Sequence, residues 1–178
     1  TGGDVLELTA DEIERLRQAA LLDWSAVDAS IFGTLFERGL DPAKRSQLGA
    51  HYTDPATIAK LIDPLIVQPL AAEWAQTRQT IAEAMARFEA GGKGSKAARQ
   101  AAQAAFLGYL ERLKNFRVLD PACGSGNFLY LALRALKDLE HRANLDAEAL
   151  GLERQLGIET SPANVLGIEL NPYAAELA

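Results

Sequence analysis

The segment Val118–Leu129, with the sequence V-L-D-P-A-C-G-S-G-N-F-L, constrains the fold of this chain more than any other feature. An apolar run that ends at Leu119 predicts a buried strand, and the acid Asp120 follows it. Pro121 has no N–H to donate to a strand ladder, so it stops further pairing. Gly124-Ser125-Gly126, which we name the glycine turn, precedes apolar residues at helical spacing. A strand, a glycine turn and a helix in this order bring a nucleoside-bearing ligand close to bare backbone.

The glycine turn differs from the two common phosphate-binding loops. Leu129 stands where a dinucleotide loop of the G-x-G-x-x-G type has its third glycine, and Gly126-Asn127-Phe128 replaces the Gly-Lys-Ser/Thr of a P-loop. Together with the acid at position 120, these differences favour a ligand without phosphates and with a cationic or amino end. S-adenosylmethionine fits this description, since it carries an amino-acid head group, a sulfonium and an adenosine.

A second strand with an acid at its end lies further along the chain. Val165–Glu169 predicts a short strand, and Asn171-Pro172 predicts the start of a helix. An acid that ends the next strand of a nucleotide-binding unit accepts hydrogen bonds from the ribose hydroxyls, which indicates Glu169 as a ribose ligand. Glu159, in a second Gly-Ile-Glu, is a less suitable candidate because a Thr-Ser-Pro turn signal follows it.

The spacing of the two acids is unusual. An acid is expected about 20 residues after such a loop, and Glu169 lies much further from the glycine turn. We assign the excess to residues 142–162. There the sequence predicts an additional helix over 147–156, after a first helix that ends near His141 and Arg142.

These segments resemble the motifs of a known enzyme family. Asp120–Leu129 is similar to motif I of the DNA methyltransferases that methylate amino groups, the group that makes N6-methyladenine. Val165–Glu169 looks like their motif II. Upstream, Gly49–Pro55, G-A-H-Y-T-D-P, looks like motif X, which in that family folds over the methionine end of the cofactor. The order X, I, II resembles the γ arrangement of adenine-N6 methyltransferases.

Residues 31–49 narrow the resemblance. This run is similar to the entry of the methyltransferase region in large single-chain type II restriction–modification enzymes of the IIG and IIL kinds. In those enzymes nuclease, methyltransferase and target-recognition parts share one polypeptide. The resemblance implies a cytoplasmic protein of a bacterium or archaeon. It also implies an α/β, Rossmann-like fold for S-adenosylmethionine-dependent methylation, truncated in this chain, mostly helical, and with only a few parallel strands.

The resemblance implies S-adenosyl-L-methionine as the cofactor and assigns residues to it. Tyr52 and Thr53, and more weakly His51, are expected at its methionine end. Asp120 is expected there too, together with the backbone of the glycine turn. The full set of expected cofactor-binding residues is Tyr52, Thr53, Asp120, Ala122, Gly124, Gly126, Asn127, Phe128 and Glu169. No metal ligands are expected.

One motif of the family is missing. The target amino group is held by motif IV, Asn/Asp-Pro-Pro-Tyr/Phe, and the chain contains no Pro-Pro. Asn171-Pro172-Tyr173 is one proline short and directly follows the acid of motif II, so we interpret it as a helix start. The chain is therefore expected to be the cofactor-binding fragment of a site-specific DNA adenine-N6 methyltransferase, without a catalytic residue and inactive alone. Two alternatives stay open: a methyltransferase that acts on RNA or protein, and a non-catalytic interaction module with this fold.

Composition limits the role of the chain in DNA contact. The formal net charge is −6, whereas free-standing DNA binders usually have a basic surface. Double-stranded DNA is therefore expected to bind mostly through parts outside this chain, or through a local cluster such as Arg38, Lys44 and Arg45. No membrane partner is expected. The single cysteine excludes an internal disulfide and a multi-cysteine metal site.

The remaining patterns suggest four units and several helices. A capping box at Thr9 and Glu12 predicts a helix over 10–22. A helix over 55–68 is predicted to end at Pro69, and helices over 71–90 and 97–114, joined by a glycine-rich turn, are predicted to form an antiparallel pair that acts as a docking or spacing arm. Exposed strand edges are expected to promote self-association. The expected units are an N-terminal helical segment at 1–45, the motif X segment and its helix at 46–70, a helical hairpin insertion at 71–115, and the first half of the cofactor-binding domain at 116–178.

Overall fold

The computed structural model describes residues 7–25, 27, 53–155, 157 and 159–177. The run 31–49, the three-residue basic cluster within 38–45, and His51 and Tyr52 lie outside the described residues. The described α-helices are α1 Ala10–Ala20, α2 Pro55–Ile62, α3 Gln68–Glu89, α4 Ser95–Lys114, α5 Asn127–Ala149 and α6 Pro172–Leu177. A π-helical segment, Asp63–Val67, joins α2 to α3, and a short 3-10 turn, Pro162–Asn164, precedes the second of two strands, β1 Val118–Asp120 and β2 Val165–Gly167.

The capping box predicted at the first helix is confirmed. The Thr9 N–H donates to Glu12 Oε2 at 2.8 Å, and the Thr9 hydroxyl accepts from the Glu12 N–H at 3.4 Å. These two bonds satisfy the backbone N–H groups of Thr9 and Glu12 at the start of α1. The helix ends slightly earlier than predicted, at Ala20. Ile13 and Leu16, which share one face of this helix, are exposed.

Pro69 does not end the second helix, which corrects the prediction. The chain stays helical from Pro55 to Glu89 and changes to π-helical geometry over Asp63–Val67, where the Gln68 N–H donates to the carbonyl of Asp63. Pro64 and Pro69 lack the N–H groups that regular α-helical bonding would use. The π-helical turn contains Pro64 and ends two residues before Pro69. Pro69 therefore lies in the first turn of α3, a position that tolerates proline.

The π-helical segment also keeps one face of this long helix buried. Buried residues recur every fourth position, at Ile58, Ile62, Ile66, Leu70 and Trp74. In a regular α-helix a repeat of four drifts by about 40° at each step, since one residue turns the helix by about 100°. The wider turn in the middle offsets part of this drift, so all five side chains reach the same core.

Helices α3 and α4 form the predicted antiparallel pair. Trp74 of α3 packs against Phe106 and Tyr109 of α4, with ring centroids 6.3 and 4.8 Å apart, and the Tyr109 hydroxyl donates to the carbonyl of Leu70 at 3.1 Å. Gly94, in the joint between them, has a φ of 93°, a left-handed conformation that favours glycine.

The pair is not a separate arm, and in this respect the sequence interpretation is wrong. Leu70, Ile81, Phe106 and Leu110 are buried in the same hydrophobic core as Leu136 of α5. The indole N–H of Trp74 also donates to Asp146 Oδ2 in α5 at 2.8 Å. The hairpin therefore supplies about half of the buried residues of the core that it shares with the rest of the described chain.

Helix α5 is longer than predicted. It continues from Asn127 through His141 to Ala149, and residues 150–155 are not helical, so the separate helix expected over 147–156 is wrong. Gly151, with a φ of 84°, follows the helix end and adopts a conformation that glycine tolerates best. The extension buries Ala143, Asn144 and Ala147 against the core.

The two strands form the predicted parallel sheet. Val118 is opposite Val165, Leu119 opposite Leu166, and Asp120 opposite Gly167. Val118 and Val165 face the helical core, whereas Leu119 and Leu166 are 58% and 51% exposed on the other face. The described chain is thus mostly helical, with a small parallel sheet that has one covered face and one open face.

Candidate ligand-binding site

A cavity of about 540 Å³ opens at the ends of the two strands. It lies between the first turns of α2, the glycine turn, the start of α5 and the residues that follow β2. This is the edge of a parallel sheet at which α/β proteins bind ligands. The volume is within the range of about 300–1,000 Å³ that is usual for small-molecule sites.

Most of the predicted binding residues line this cavity. They come from three separate parts of the sequence, and the folded chain brings them together as Thr53, Asp120, Ala122, Gly124, Asn127, Phe128 and Glu169. Gly126 is not part of the lining, because it is buried below the turn and forms the N-cap of α5 with a φ of 82°. Tyr52 lies outside the described residues.

Backbone pairing continues past both strands and brings their acids together. The Ile168 N–H donates to the carbonyl of Asp120 at 2.9 Å, and the Cys123 N–H donates to the carbonyl of Ile168 at 3.0 Å. These two bonds place Glu169 beside the glycine turn. Asp120 and Glu169 therefore line the same cavity from neighbouring strands.

Glu169 is held by two backbone groups. Its Oε2 accepts from the Gly124 N–H at 2.8 Å, and its Oε1 accepts from the Asn171 N–H at 2.8 Å. The first bond crosses from the end of β2 to the glycine turn, and the second closes a local turn before α6. The carboxylate is thus held at the cavity by the backbone of the protein itself.

Asp120 shapes the turn in a similar way. Its Oδ1 accepts from the Ala122 N–H at 3.0 Å, which is a two-residue side-chain turn of the kind that Asp and Asn favour. The side chain is half-buried at the cavity wall. One acid therefore stands on each side of the glycine turn.

Four backbone donors at or beside the glycine turn are used within the protein. The N–H groups of Ala122 and Gly124 donate to the two acids, that of Cys123 to Ile168, and that of Gly126 to the carbonyl of Cys123. Phosphate loops need such N–H groups free. In addition, none of the described residues that line the cavity is Lys, Arg or His. This arrangement is poorly suited to phosphate and well suited to a cationic or hydroxyl-bearing ligand.

Cys123 is packed rather than reactive. Its side chain is buried against Gly167, and burial together with the nearby acids Asp120 and Glu169 raises the pKa of its thiol. A Cβ on Gly167 would lie 2.6 Å from Cys123 Sγ and 2.9 Å from Leu129 Cδ1, so only glycine fits there. The absence of a side chain at position 167 lets the glycine turn approach β2 closely.

The sequence analysis missed the apolar part of the wall. Ile58 and Leu61 of α2 face the cavity across from Leu119 and Ile168. Their helical spacing was visible in the sequence, but only the packing of α2 on α5 brings them to the site. The remaining lining residues that were not predicted are Pro121, Cys123, Ser125, Leu170, Asn171 and Ala174.

Glu159 is not part of the site, as the turn signal after it indicated. It does not line the cavity, and its carboxylate pairs with Lys114 Nζ at 3.0 Å. The pairing raises the pKa of the Lys114 amine. Glu159 is therefore a surface ion-pair partner and a useful control for Glu169.

Two other kinds of feature are absent from the described residues. No helix in the described ranges is both long and apolar enough to cross a membrane. Nor do the same ranges contain a group of three or more His, Cys, Asp or Glu side chains placed to hold a metal ion.

The chain is similar in sequence and structure to known DNA-modifying enzymes. Residues 95–178 match the family model described as MmeI, DNA-methyltransferase domain. DNA methyltransferase A of Bacillus subtilis (strain 168) is 27% identical over 158 residues, which is 89% of this chain and 16% of that protein. The solved structure of the type IIL restriction–modification enzyme MmeI in complex with DNA has a TM-score of 0.71 and 30% identity, over 96% of this chain and 20% of that one.

This chain spans about one sixth of the curated relative and one fifth of the solved structure. The family model covers the glycine turn and both strands, and the likeness to the solved structure covers nearly the whole chain. The chain thus matches the methyltransferase region of a type IIL restriction–modification enzyme, as its motifs predicted.

Proposed function

We propose that this chain binds S-adenosyl-L-methionine in the cavity at the strand ends and serves as the cofactor-binding part of a site-specific DNA adenine-N6 methyltransferase. The fold is then the first part of a Rossmann-like methyltransferase domain. The matched relatives include a DNA methyltransferase and an enzyme solved with DNA, which supports a role in DNA methylation.

One observation carries the cofactor assignment. Two acids, Asp120 and Glu169, reach one cavity from adjacent parallel strands and flank a glycine turn whose N–H groups are largely used. Such a site offers negative charge at two separate points and no described basic side chain. An adenosyl amino acid without phosphates matches both properties.

Different residues of the cavity would hold different parts of the cofactor. Asp120, at the end of β1 beside the glycine turn, would hold the ammonium of the methionine end. Glu169 would accept hydrogen bonds from the ribose hydroxyls, with a contribution of about 1.5–3 kcal/mol for each charge-assisted bond. Apolar side chains such as Ile58, Leu61 and Phe128 would exclude water from the ring system. Thr53 stands at the α2 side of the opening, where motif X is expected to cover the cofactor.

When bound, the cofactor supplies an electrophilic methyl group on its sulfonium. The contribution of this chain is to hold and orient it, since in such a transfer most of the protein's effect comes from positioning. The target adenine would be flipped out of the duplex to reach the methyl group. The residues that hold the adenine amino group would lie outside this sequence, which has no Pro-Pro.

Calorimetry tests the binding step. S-adenosylhomocysteine is expected to bind the purified protein at one site, whereas ATP and NAD, which share the adenosine but carry phosphates, are expected to bind far more weakly. Equal binding of all three, or no binding of S-adenosylhomocysteine, would contradict the cofactor assignment.

A labelling experiment tests the reaction. The complete protein encoded by the gene that contains this sequence is incubated with tritiated cofactor and double-stranded DNA, and the nucleosides are separated after digestion. Label in N6-methyldeoxyadenosine is expected. Label in methylcytosine alone, or no label in the DNA, would overturn the adenine assignment.

A further inference from the structure

Asn164 is a buried polar residue just before the second strand. It ends the short 3-10 turn, is 1% exposed, and immediately precedes Val165, the first residue of β2. A buried amide in a small domain is costly unless it is fully hydrogen-bonded. The hydrogen-bond partners of the Asn164 side chain therefore indicate its structural role.

The amide joins the entries of both strands. Its Nδ2 group donates to the carbonyls of Leu113 at 2.8 Å, Lys114 at 3.2 Å and Phe116 at 2.9 Å, which lie at the end of α4 and on the approach to β1. Its Oδ1 accepts from the Ser161 N–H at 2.8 Å, on the approach to β2. Residues about 50 positions apart in the sequence are thus tied through one side chain.

This tie lies next to the first pair of the sheet, Val118 opposite Val165. Each strand is only three residues long, so the ladder itself specifies the register weakly. A shift by one residue would turn every side chain of β2 to the other face. Asp120 would then face Leu166 or Ile168 instead of Gly167.

The site depends on this register. Only a glycine fits opposite Asp120, because the space above it is filled by Cys123 and Leu129. A shifted strand would place a larger side chain there and would move Glu169 away from the Gly124 N–H. The register of the two strands therefore determines whether Asp120 and Glu169 reach the same cavity.

We infer that Asn164 is a positioning residue for the site, which sets β2 against β1 so that Asp120 and Glu169 reach the same cavity. It does not line the cavity and would not touch the cofactor. The inference rests on the proposed function in one respect only, since ligand affinity is one of its three readouts.

Asn144 provides a matched control. It is also a buried asparagine, 9% exposed, and its amide donates to the carbonyl of Glu140 at 3.1 Å and accepts from the Gln155 N–H at 2.9 Å. It anchors the connection after α5 but has no bond to either strand. If Asn164 acted on stability alone, Asn164→Ala and Asn144→Ala should have similar effects.

The test measures three quantities on the purified protein and both variants. Urea unfolding gives stability, hydrogen exchange of the Ile168 and Cys123 N–H groups reports the cross-strand bonds, and calorimetry with S-adenosylhomocysteine gives affinity under conditions where all three proteins are folded. For Asn164→Ala we expect exchange at these two amides to accelerate at least tenfold and affinity to fall at least tenfold. For Asn144→Ala both are expected to stay within about twofold of wild type.

Wild-type exchange and affinity in folded Asn164→Ala, or equal losses in both variants, would overturn the inference. Should Asn164→Ala not fold, Asn164→Ser, which keeps a hydroxyl donor, is compared with Asn144→Ser in the same way. If the wild-type protein does not bind S-adenosylhomocysteine, the proposed function fails, and the exchange rates alone still decide the role of Asn164.

Discussion

Glu169 Oε2 accepts a hydrogen bond from the Gly124 N–H at 2.8 Å, so the acid at the end of the second strand holds the turn that follows the first. This bond gives Glu169 two roles in the proposed site. It would bind the ribose, and it keeps the glycine turn in the left-handed conformation seen at Gly124, where φ is 55°. The two acids and the glycine turn are therefore connected by hydrogen bonds of the protein itself.

The double role of Glu169 leads to the first prediction. Glu169→Gln should lower the affinity for S-adenosylhomocysteine by roughly 10- to 100-fold, which corresponds to the loss of about 1.5–3 kcal/mol for a charge-assisted hydrogen bond. Calorimetry measures the effect. Glu159→Gln is the matched control, since Glu159 is outside the cavity, and its affinity should equal that of wild type.

A ligand without the ribose hydroxyls separates the two roles. If Glu169 also holds the turn, Glu169→Gln should weaken binding of a 2′,3′-dideoxy analogue as well. Identical affinity of the variant and the wild-type protein for that analogue would restrict Glu169 to ribose binding.

Asp120→Asn tests the charge at the other side of the turn. The amide oxygen can still accept from the Ala122 N–H, so the turn should keep its shape while the negative charge is lost. We expect affinity for S-adenosylhomocysteine to fall about tenfold, with an unfolding free energy close to that of wild type. A large loss of stability, with affinity retained, would show that Asp120 acts on the fold and not on the ligand.

The close approach of β2 to the glycine turn predicts the effect of Gly167→Ala. The added methyl group would lie 2.6 Å from Cys123 Sγ, so the variant should be destabilised by about 1–3 kcal/mol, the usual cost of overpacking. Urea unfolding measures this cost. Adding Cys123→Ala should recover part of it, because the sulfur is removed.

Gly108→Ala is the control for this prediction. No atom lies within 4 Å of a Cβ at Gly108, which is inside α4. That substitution should stabilise the protein by about 0.5–1 kcal/mol, since alanine favours helix more than glycine does. A destabilisation as large as that of Gly167→Ala would argue against a local steric cause.

Cys123 serves as a built-in probe because the sequence contains one cysteine. Burial and the two nearby acids raise the pKa of its thiol, so the thiol should remain protonated at pH values where a free cysteine begins to ionise. Alkylation by iodoacetamide should accordingly need a higher pH than alkylation of free cysteine. Saturating S-adenosylhomocysteine should slow it further, since Cys123 lines the cavity, and equal rates with and without ligand would contradict this.

The open face of the sheet predicts concentration-dependent association. Leu166 is 51% exposed and does not line the cavity. Sedimentation should show self-association of the 178-residue chain at high concentration, and Leu166→Ser should reduce it without changing ligand affinity. A wild-type chain that stays monomeric throughout the concentration range would contradict this expectation.

Features that depend on neighbouring residues could be predicted from the sequence. The capping box of Thr9 and Glu12 and the strand that ends at Asp120 need only local signals. The same holds for the helix that begins at Pro172. Even the choice of Glu169 over Glu159 depended on the residues directly before and after each acid.

Features that depend on distant packing could not. The helix continues past His141 because Glu140 and Asn144 accept hydrogen bonds from Thr160 and Gln155, much later in the chain. The apolar cavity wall at Ile58 and Leu61 exists only because α2 packs on α5. Asn164 gives no local signal of its role, since its partners lie about 50 residues upstream.

The π-helical segment Asp63–Val67 links the cavity to the core in a way that limits how this region can change. Ile58 and Leu61, before it, face the ligand site, while Leu70 and Trp74, after it, fill the hydrophobic interior. Losing or gaining one residue there would rotate the two halves by about 100° relative to each other. Variation in length should therefore be tolerated better at the glycine-rich joint between α3 and α4 than in this five-residue stretch.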